Sequence, residues 1–240
     1  MKVAVIVQAR MTSKRLPGKI LELINGKAVL QHCLDRCQNI KGVDSWVLAI
    51  PNDENADRIK DNISLGKFTV SLGSEKDVLH RYIKSQKEVD ADLTIRITAD
   101  CPVIDPQICS EMLTLFKANN LDYIANGDPR TFPHGFDCEI FKSELLEKLP
   151  VDSLNEYSRE HVTPNLKFQN LVKFNYSTSE LNADYDYSSL RLVVDTYTDL
   201  SRLRTYFESS KSLCRLDEFS FQTLLSLNDE WQSYFPSTPL

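Results

Sequence analysis

The sequence lacks the features that mark several large classes of protein. No run approaches the ~20 apolar residues of a membrane helix. The 28 basic residues are outnumbered by 34 acidic ones, giving a net charge of −6. General nucleic-acid-binding domains usually carry a basic excess, so we expect no nucleic-acid partner. The apolar run at the N-terminus is too short for a signal peptide and no small-residue cleavage site follows it, so we expect a cytoplasmic protein with no membrane partner.

Cysteine pairs with the spacing of zinc ligands are also absent. The six cysteines are scattered and none forms a CxxC pair, whereas zinc sites usually need such pairs. Cys33 and Cys37 are four residues apart, on one face of a predicted helix. We therefore expect reduced, packed thiols. Cys101 lies beside Asp100, but the sequence places no histidine partner near it, so a nucleophilic role is not expected.

Two common phosphate-binding motifs are missing as well. Neither GxxxxGK[ST] nor GxGxxG occurs, which argues against P-loop chemistry and against dinucleotide binding.

What the sequence does contain is an alternation of apolar β-branched runs and segments with helical periodicity. Residues 106–119 form one such helix, with Asp105 as its cap and Pro106 at its first position. Asn52 or Asp53 is the expected cap of another. This alternation predicts an α/β fold with a doubly wound, mostly parallel sheet. The predicted strands are 2–7, 45–50, 67–72, 92–97, 121–125 and 190–194, and the predicted helices are 28–40, 53–63, 76–89, 106–119 and 198–209.

The alternation is interrupted between about residues 126 and 180, where prolines and aromatic residues accumulate. We expect an inserted arm here, with helices near 143–148 and 155–168, within one domain that spans residues 1–240. One or two helices are expected in the last thirty residues.

A basic loop at residues 8–19 follows the first strand directly. Ligands of open α/β sheets bind outside the carboxyl ends of the strands. Arg10, Arg15 and Lys19 could bind a polyphosphate there, with Ser13 as an additional donor. A solvated basic loop would have the same composition, so charge alone does not separate the two interpretations.

The same loop, VIVQARMTSKRLPGK, resembles the signature of the cytidylyltransferases that activate acidic sugars. This family includes the CMP-ketodeoxyoctonate and CMP-sialate synthetases, and the branch most similar here is that of spore coat polysaccharide biosynthesis protein F. Further blocks follow in family order: GSEKDVLHRY at 73–82, RITADCPVIDP at 96–106, PHGFDCE at 133–139, SREHVTP at 158–164 and LRLVVDT at 190–196. The resemblance implies a Rossmann-like nucleotide-diphospho-sugar transferase fold.

The resemblance also implies an activity, a cofactor and a set of site residues. CMP would pass from CTP to an acidic sugar or similar acceptor, pyrophosphate would leave, and the protein would be a homodimer whose arm at 126–180 binds the acceptor or forms the dimer contact. Mg²⁺ would be held by Asp100 and Asp195. The residues implied for the nucleotide are Ala9, Arg10, Ser13, Arg15, Lys19, Gly73, Ser74 and Asp77, with Arg10, Lys19 and Asp100 in the catalytic roles. Those implied for the acceptor are Arg96, Glu139, Arg159, Glu160, His161 and Arg191.

Other interpretations stay open at this point. Asp100 and Asp195 could each be a turn residue or helix cap. Nucleotide-sugar-dependent glycosyltransferases often carry an Asp-x-Asp metal motif at a strand end, and such motifs occur at 90–92 and 184–186, both weakly placed. A nucleotide-binding protein without activity could keep the fold. Gln8 stands where acidic-sugar synthetases often have proline, which leaves the acceptor more open than the reaction, and CTP is favoured over the other nucleotides.

Overall fold

The structure is a computed structural model and describes residues 1–167, 169–181, 186–208 and 215–226. The strands are β1 Val3–Gln8, β2 Leu23–Ile24, β3 Lys27–Ala28, β4 Ser45–Pro51, β5 Phe68–Gly73, β6 Leu93–Thr98, β7 Tyr123–Ala125, β8 Glu139–Lys142 and β9 Lys173–Asn175. The α-helices are α1 Val29–Cys37, α2 Ala56–Asp61, α3 Val78–Glu88, α4 Pro106–Ala118, α5 Glu144–Glu147, α6 Glu156–His161, α7 Pro164–Lys167, α8 Tyr197–Phe207 and α9 Phe221–Ser226.

Within the described residues, seven of these strands form one sheet in the order β5-β4-β1-β6-β8-β7-β9. The pairs from β5 to β6 are parallel, and β7 pairs with β9 in parallel. Only β8 runs the other way, antiparallel to both β6 and β7. The prediction of an α/β fold with a mostly parallel, doubly wound sheet is therefore confirmed.

Strand β1 shows why the sheet is covered on both faces. Val5 and Val7 belong to the hydrophobic core that contains α1, α4 and α8. Ala4 and Ile6 face a second core with α3, α5 and α7. Successive strand residues point to opposite faces, so a run without polar residues must be buried on both sides. Because β1, β4, β5 and β6 are parallel, their carboxyl ends meet at one edge of the sheet.

The strand predicted at 190–194 is wrong. Four of its five residues are buried as expected, but among the described residues the segment makes only one isolated bridge, between His134 and Arg191. Leu192 N donates to His134 O at 2.7 Å and Val194 N donates to Asp100 O at 2.9 Å. Because its partners are loops on both sides, the apolar run satisfies its backbone without joining a sheet ladder.

Two helix predictions also need correction. The helix expected at 53–63 is shorter and begins after Asn55, which occupies the cap position without a side-chain cap bond. Asp53 instead accepts a bond from Asn55 N at 2.8 Å in the preceding turn. The helix expected at 155–168 is two helices, α6 and α7, separated where Val162 takes a positive φ of 70°.

The segment at 126–180 is integrated into the sheet more closely than the expected arm. It supplies β8 and β9, which the alternation of predicted elements did not reveal because these strands have only four and three residues. Its use as an acceptor-binding or dimer-forming region stays a prediction.

The C-terminal part contains α8, as predicted, a 3-10 turn at Leu216–Glu218, and α9. Cys214 and the Asp184-Tyr185 half of the second Asp-x-Asp motif lie outside the described residues. Among the described residues, no helix combines the length and apolarity needed to cross a membrane.

Candidate active site

The loop after β1 folds back on itself before it delivers Lys19. Gly18 N donates to Met11 O at 2.8 Å. Gly18 itself adopts a left-handed φ of 74°, which glycine accepts without a side-chain clash. A 3-10 turn at Lys19–Leu21 starts immediately afterwards, and the lysine side chain is left with only 10% exposure. The loop is therefore an ordered turn that buries Lys19, while Thr12, Lys14 and Arg15 are exposed.

Lys19 is held between the two aspartates implied as metal ligands. Its Nζ donates to Asp100 Oδ2 at 2.6 Å and to Asp195 Oδ1 at 2.9 Å. The two carboxylates converge although they are far apart in sequence, because Val194 N binds the backbone carbonyl of Asp100 at 2.9 Å. That one bond brings the segment before Asp195 to the end of β6.

The remaining oxygens of the two carboxylates have partners of their own. Thr98 Oγ1 donates to Asp100 Oδ1 at 2.6 Å. Arg15 donates to Asp195 Oδ2 at 2.7 Å, and an Arg191 nitrogen lies 3.6 Å from the same oxygen.

The helix-cap interpretation of Asp195 does not hold. Thr196 is the N-cap of α8 and forms a capping box with Asp199. Asp195 precedes the box and directs its carboxylate to Lys19 and Arg15.

Charge in the loop is balanced by these carboxylates. Burial lowers the pKa of Lys19, but the attraction of Asp100 and the hydrogen bonds to both aspartates outweigh it, and the pKa ends above its ordinary value. Arg10 donates to Glu160 Oε1 at 2.7 Å, and this bond is the main reason why the pKa of Glu160 is lowered.

Two adjoining cavities open at this edge of the sheet. The first, of about 350 Å³, is lined by the basic loop and by Asp100, Asp195 and Glu160. The second, of about 360 Å³, lies over β7, β8 and α6. Arg96, Thr98 and His161 line both, so a molecule in one cavity would meet a molecule in the other at these residues.

The second cavity contains a buried ion pair between facing strand residues. Arg96 on β6 is the register partner of Glu139 on β8, and its guanidinium donates to the carboxylate. Tyr123 and Thr163 also donate to Glu139, the latter at 2.8 Å. Burial raises the pKa of Glu139, but the opposing effects of Arg96 and the hydroxyl donors are larger together, so the net pKa is below the ordinary value.

The structure brings most of the implied residues to these cavities. Ala9, Arg10, Ser13, Arg15 and Lys19 line the first, and Glu139 lines the second. Their roles stay predictions.

Five implied residues lie elsewhere in the described part of the chain. Gly73, Ser74 and Asp77 line neither cavity. They lie at and after the end of β5, an edge strand of the sheet. Asp77 is used as the N-cap of α3, where it accepts from His80 N at 2.9 Å. Arg159 also lines neither, since it pairs with Asp77, and the same is true of Arg191.

Arg191 instead pairs with Asp199 at 3.1 Å, behind Asp195. Their geometry fits support of the site better than contact with substrate.

Sequence reasoning did not single out several of the residues that line the cavities, among them Arg81, Arg130 and Asp137. Arg81 on α3 is 1% exposed and lines the first cavity, where burial lowers its pKa to about 10. It lies within the GSEKDVLHRY block, but helical periodicity alone gives an arginine on a buried face no distinct signal. Arg130 and Asp137 form an ion pair that lines the second cavity.

A divalent metal fits the two carboxylates. Both reach a single ammonium, so both could reach a single cation. The described residues include no cluster of three or more His, Cys, Asp or Glu side chains suited to a metal. Mg²⁺ is usually bound through one or two carboxylates, with phosphate oxygens and water completing its shell, so the two aspartates are of the ligand type that this ion takes.

The described cysteines lack the exposure expected of a nucleophile. All five described cysteines are free and buried. For Cys101, burial and the adjacent Asp100 charge raise the pKa of the thiol well above its ordinary value, which opposes thiolate formation.

Comparison with known proteins identifies the family of this chain. The family model for cytidylyltransferases matches residues 4–221. The chain is 26% identical to the spore coat polysaccharide biosynthesis protein SpsF of Bacillus subtilis, covering 94% of each chain. It is 36% identical over 157 residues to the 8-amino-3,8-dideoxy-manno-octulosonate cytidylyltransferase of Shewanella frigidimarina, covering 63% of this chain and 57% of that one.

A solved structure extends the agreement to the whole fold. The cytidylyltransferase of Leptospira borgpetersenii serovar Hardjo-bovis superposes with a TM-score of 0.87 at 31% identity, covering 100% of this chain and 99% of the other. The sheet, the ordered basic loop and the matched sequence together establish that this chain belongs to the cytidylyltransferase family.

Proposed function

We propose that this cytidylyltransferase transfers CMP from CTP to a sugar acid in a Mg²⁺-dependent reaction that serves glycan synthesis. The observation that carries the proposal is the convergence of Arg15 and Lys19 on Asp100 and Asp195, in a cavity that adjoins a second one of similar size. A triphosphate needs cations, and the metal that accompanies it needs carboxylates.

The nucleotide belongs in the first cavity on this proposal. Arg10, Arg15 and Lys19 supply donors for the phosphates, and Ser13 lines the same wall. Each arginine offers a planar fork to phosphate oxygens, and the lysine offers a point charge. Arg10 exchanges Glu160 for a phosphate when the nucleotide binds.

The acceptor belongs in the second cavity. Arg96 and Arg130 line this cavity and bring two guanidinium groups to it. Such donors suit a carboxylate or several hydroxyl groups. The names of the two curated relatives concern polysaccharide synthesis and an octulosonate, which supports a sugar acid as acceptor.

Transfer then needs little covalent chemistry from the protein. The acceptor hydroxyl oxygen forms a bond to the α-phosphorus, and the bond from that phosphorus to the bridging oxygen of pyrophosphate breaks. The basic loop stabilises negative charge on the phosphates and the leaving group. His161 lines both cavities, and on this proposal its imidazole takes the proton that the hydroxyl gives up. Mg²⁺, held by Asp100 and Asp195, would add charge neutralisation at the phosphates.

Pyrophosphate release tests this proposal. The protein would be assayed with Mg²⁺, each of the four ribonucleoside triphosphates and a panel of octulosonic, nonulosonic and neutral sugars. We expect release with CTP and a sugar acid, and a fall of at least about 10²-fold in kcat for Asp100→Ala and Asp195→Ala.

Asp90→Ala is the matched control. Asp90 is an exposed partner of Lys2 near the opposite ends of β1 and β6, so this variant should retain activity. If no triphosphate supports release with any acceptor, and none raises the thermal stability in the presence of Mg²⁺, the proposed reaction is refuted.

The same control addresses the glycosyltransferase alternative. Asp90-Ala91-Asp92 precedes β6, and Asp92 accepts from Lys2 N at 2.7 Å, away from both cavities. That alternative would be favoured if the protein transferred a sugar from a nucleotide sugar without producing pyrophosphate and if Asp90→Ala lost this transfer. The homodimer and the cytoplasmic location expected from the sequence stay predictions.

A further inference from the structure

We propose that Lys19 acts as an internal counter-cation, which keeps a divalent metal from Asp100 and Asp195 until a triphosphate draws the lysine away. Its ammonium lies 2.6 Å from Asp100 Oδ2 and 2.9 Å from Asp195 Oδ1. This inference rests on the proposed function for the identity of the two aspartates as metal ligands.

The position of Lys19 conflicts with simultaneous metal binding. The two oxygens that face each other across the pair both accept from this one ammonium. The other two accept from Thr98 and Arg15. A metal that used the two oxygens bound to Lys19 would therefore compete with its ammonium for them, and each oxygen of the pair already accepts from a cation or a hydroxyl group.

Charge leads to the same conclusion. The two carboxylates are balanced by Lys19 and Arg15, so the group is neutral as it stands. A divalent ion alone would make it strongly cationic, at a lysine that is only 10% exposed and poorly screened. A triphosphate brings more negative charge than the metal brings positive charge, and the ion and the lysine can then both be accommodated.

The lysine has a second place to go within the same cavity. Lys19, Arg15 and Arg10 all line the cavity assigned to the triphosphate. The Lys19 backbone is fixed by the turn that starts at Gly18, so only the side chain needs to move. The expected result is that nucleotide and metal bind together, each strengthening the other.

The test is equilibrium binding of Mn²⁺, measured from the electron paramagnetic resonance signal of the free ion. In the absence of nucleotide, Lys19→Met should bind Mn²⁺ at least about tenfold more tightly than the unaltered protein, since one close opposing charge is removed. The double variant Lys19→Met with Asp100→Asn should lose this gain. With CTP added, the unaltered protein should bind more Mn²⁺ than the protein alone and CTP alone bind together. Lys19→Met should show less of this coupling between metal and nucleotide.

Lys27→Met is the matched control, because Lys27 is a half-buried lysine paired with a single carboxylate, Asp35, at 2.8 Å. It should leave Mn²⁺ binding unchanged. The proposal is overturned if folded Lys19→Met, verified by its thermal transition, binds Mn²⁺ no more tightly than the unaltered protein. If Lys19→Met does not fold, Lys19→Gln replaces it, and strong nucleotide-free Mn²⁺ binding by the unaltered protein would itself overturn the proposal.

These outcomes separate this inference from the proposed function. The nucleotide-free measurement does not depend on which triphosphate or acceptor is used. A protein that releases no pyrophosphate but shows the gain in Lys19→Met would keep the inference and lose the proposed reaction.

Discussion

Replacement of Glu139 by glutamine would test whether the second cavity depends on a buried charge pair. The substitution keeps the size of the side chain and leaves an amide oxygen for the Tyr123 and Thr163 hydroxyl donors. The Arg96 guanidinium then faces a neutral amide with its countercharge removed, in a site where each partner is only 15% exposed. Loss of one partner of a buried pair costs about 3–5 kcal/mol.

We therefore expect Glu139→Gln to lower the free energy of unfolding by about 3 kcal/mol at pH 7, measured by urea denaturation. The pH dependence gives a second check. The folded pKa of Glu139 is below its ordinary value of 4.5, so its contribution is fully present above pH 4.5 and is lost as the pH falls through the folded pKa. The difference between the two proteins should consequently shrink below pH 4.5.

Glu144→Gln is the control for this comparison. Glu144 forms an exposed pair with Lys148 at 2.8 Å, with side-chain exposures of 59% and 66%. Exposed pairs of this kind contribute ~0–1 kcal/mol. If Glu139→Gln changes stability by no more than Glu144→Gln does, the reasoning about the buried pair is refuted.

Three further predictions concern other parts of the site. Gly135→Ala should lower the free energy of unfolding by about 3 kcal/mol or more. The reason is that Gly135 has a φ of 111° and an added Cβ would lie 2.7 Å from the Leu192 carbonyl. Gly26→Ala is the control, because a Cβ there meets nothing within 4 Å, and it should cost only ~1 kcal/mol in the same urea titration. Cys101→Ala should keep kcat for pyrophosphate release within about threefold, since its buried thiol is no nucleophile, and a loss of several orders of magnitude would contradict this. Arg10→Gln should weaken the binding of CTP, and Glu160→Gln should tighten it, as measured by calorimetry. Because the side chains of this pair are 38% and 45% exposed, the tightening should not exceed about fivefold. Equal weakening in both variants would show that Glu160 binds substrate.

The N-terminal half of the fold could be predicted because its signals are local. β1, β4, β5 and β6 are apolar runs of six or seven residues, and α4 begins at the predicted Asp105-Pro106 cap. The strand predicted at 190–194 failed for a physical reason, because burial of Leu190, Leu192 and Val194 produces the same alternation as a strand whatever their backbone bonds.

The site could be predicted in its charges but not in its pairings. The sequence indicates that a basic loop follows β1, and the family resemblance implies Asp100 and Asp195. That Lys19 lies between the two aspartates depends on the bond from Val194 N to the Asp100 carbonyl, which joins residues far apart in the chain. Arg159 and Arg191 look like equally good anion ligands in the sequence, but Asp77 and Asp199 bind them in the fold. No local pattern encodes such competition between carboxylates.

The reversed direction of β8 has a consequence for how this scaffold can change its acceptor. Parallel strands present their last residues at the shared edge, whereas β8 presents its first, Glu139, beside Arg96. The chain that leads into Glu139, with Asn126, Arg130 and Asp137, therefore builds the wall of the second cavity before the strand begins. Substitutions in this connection would remodel one substrate pocket while β1, its basic loop and the two aspartates stay as they are. Under the proposed function, specificity for the acceptor and the machinery for the nucleotide could therefore diverge independently.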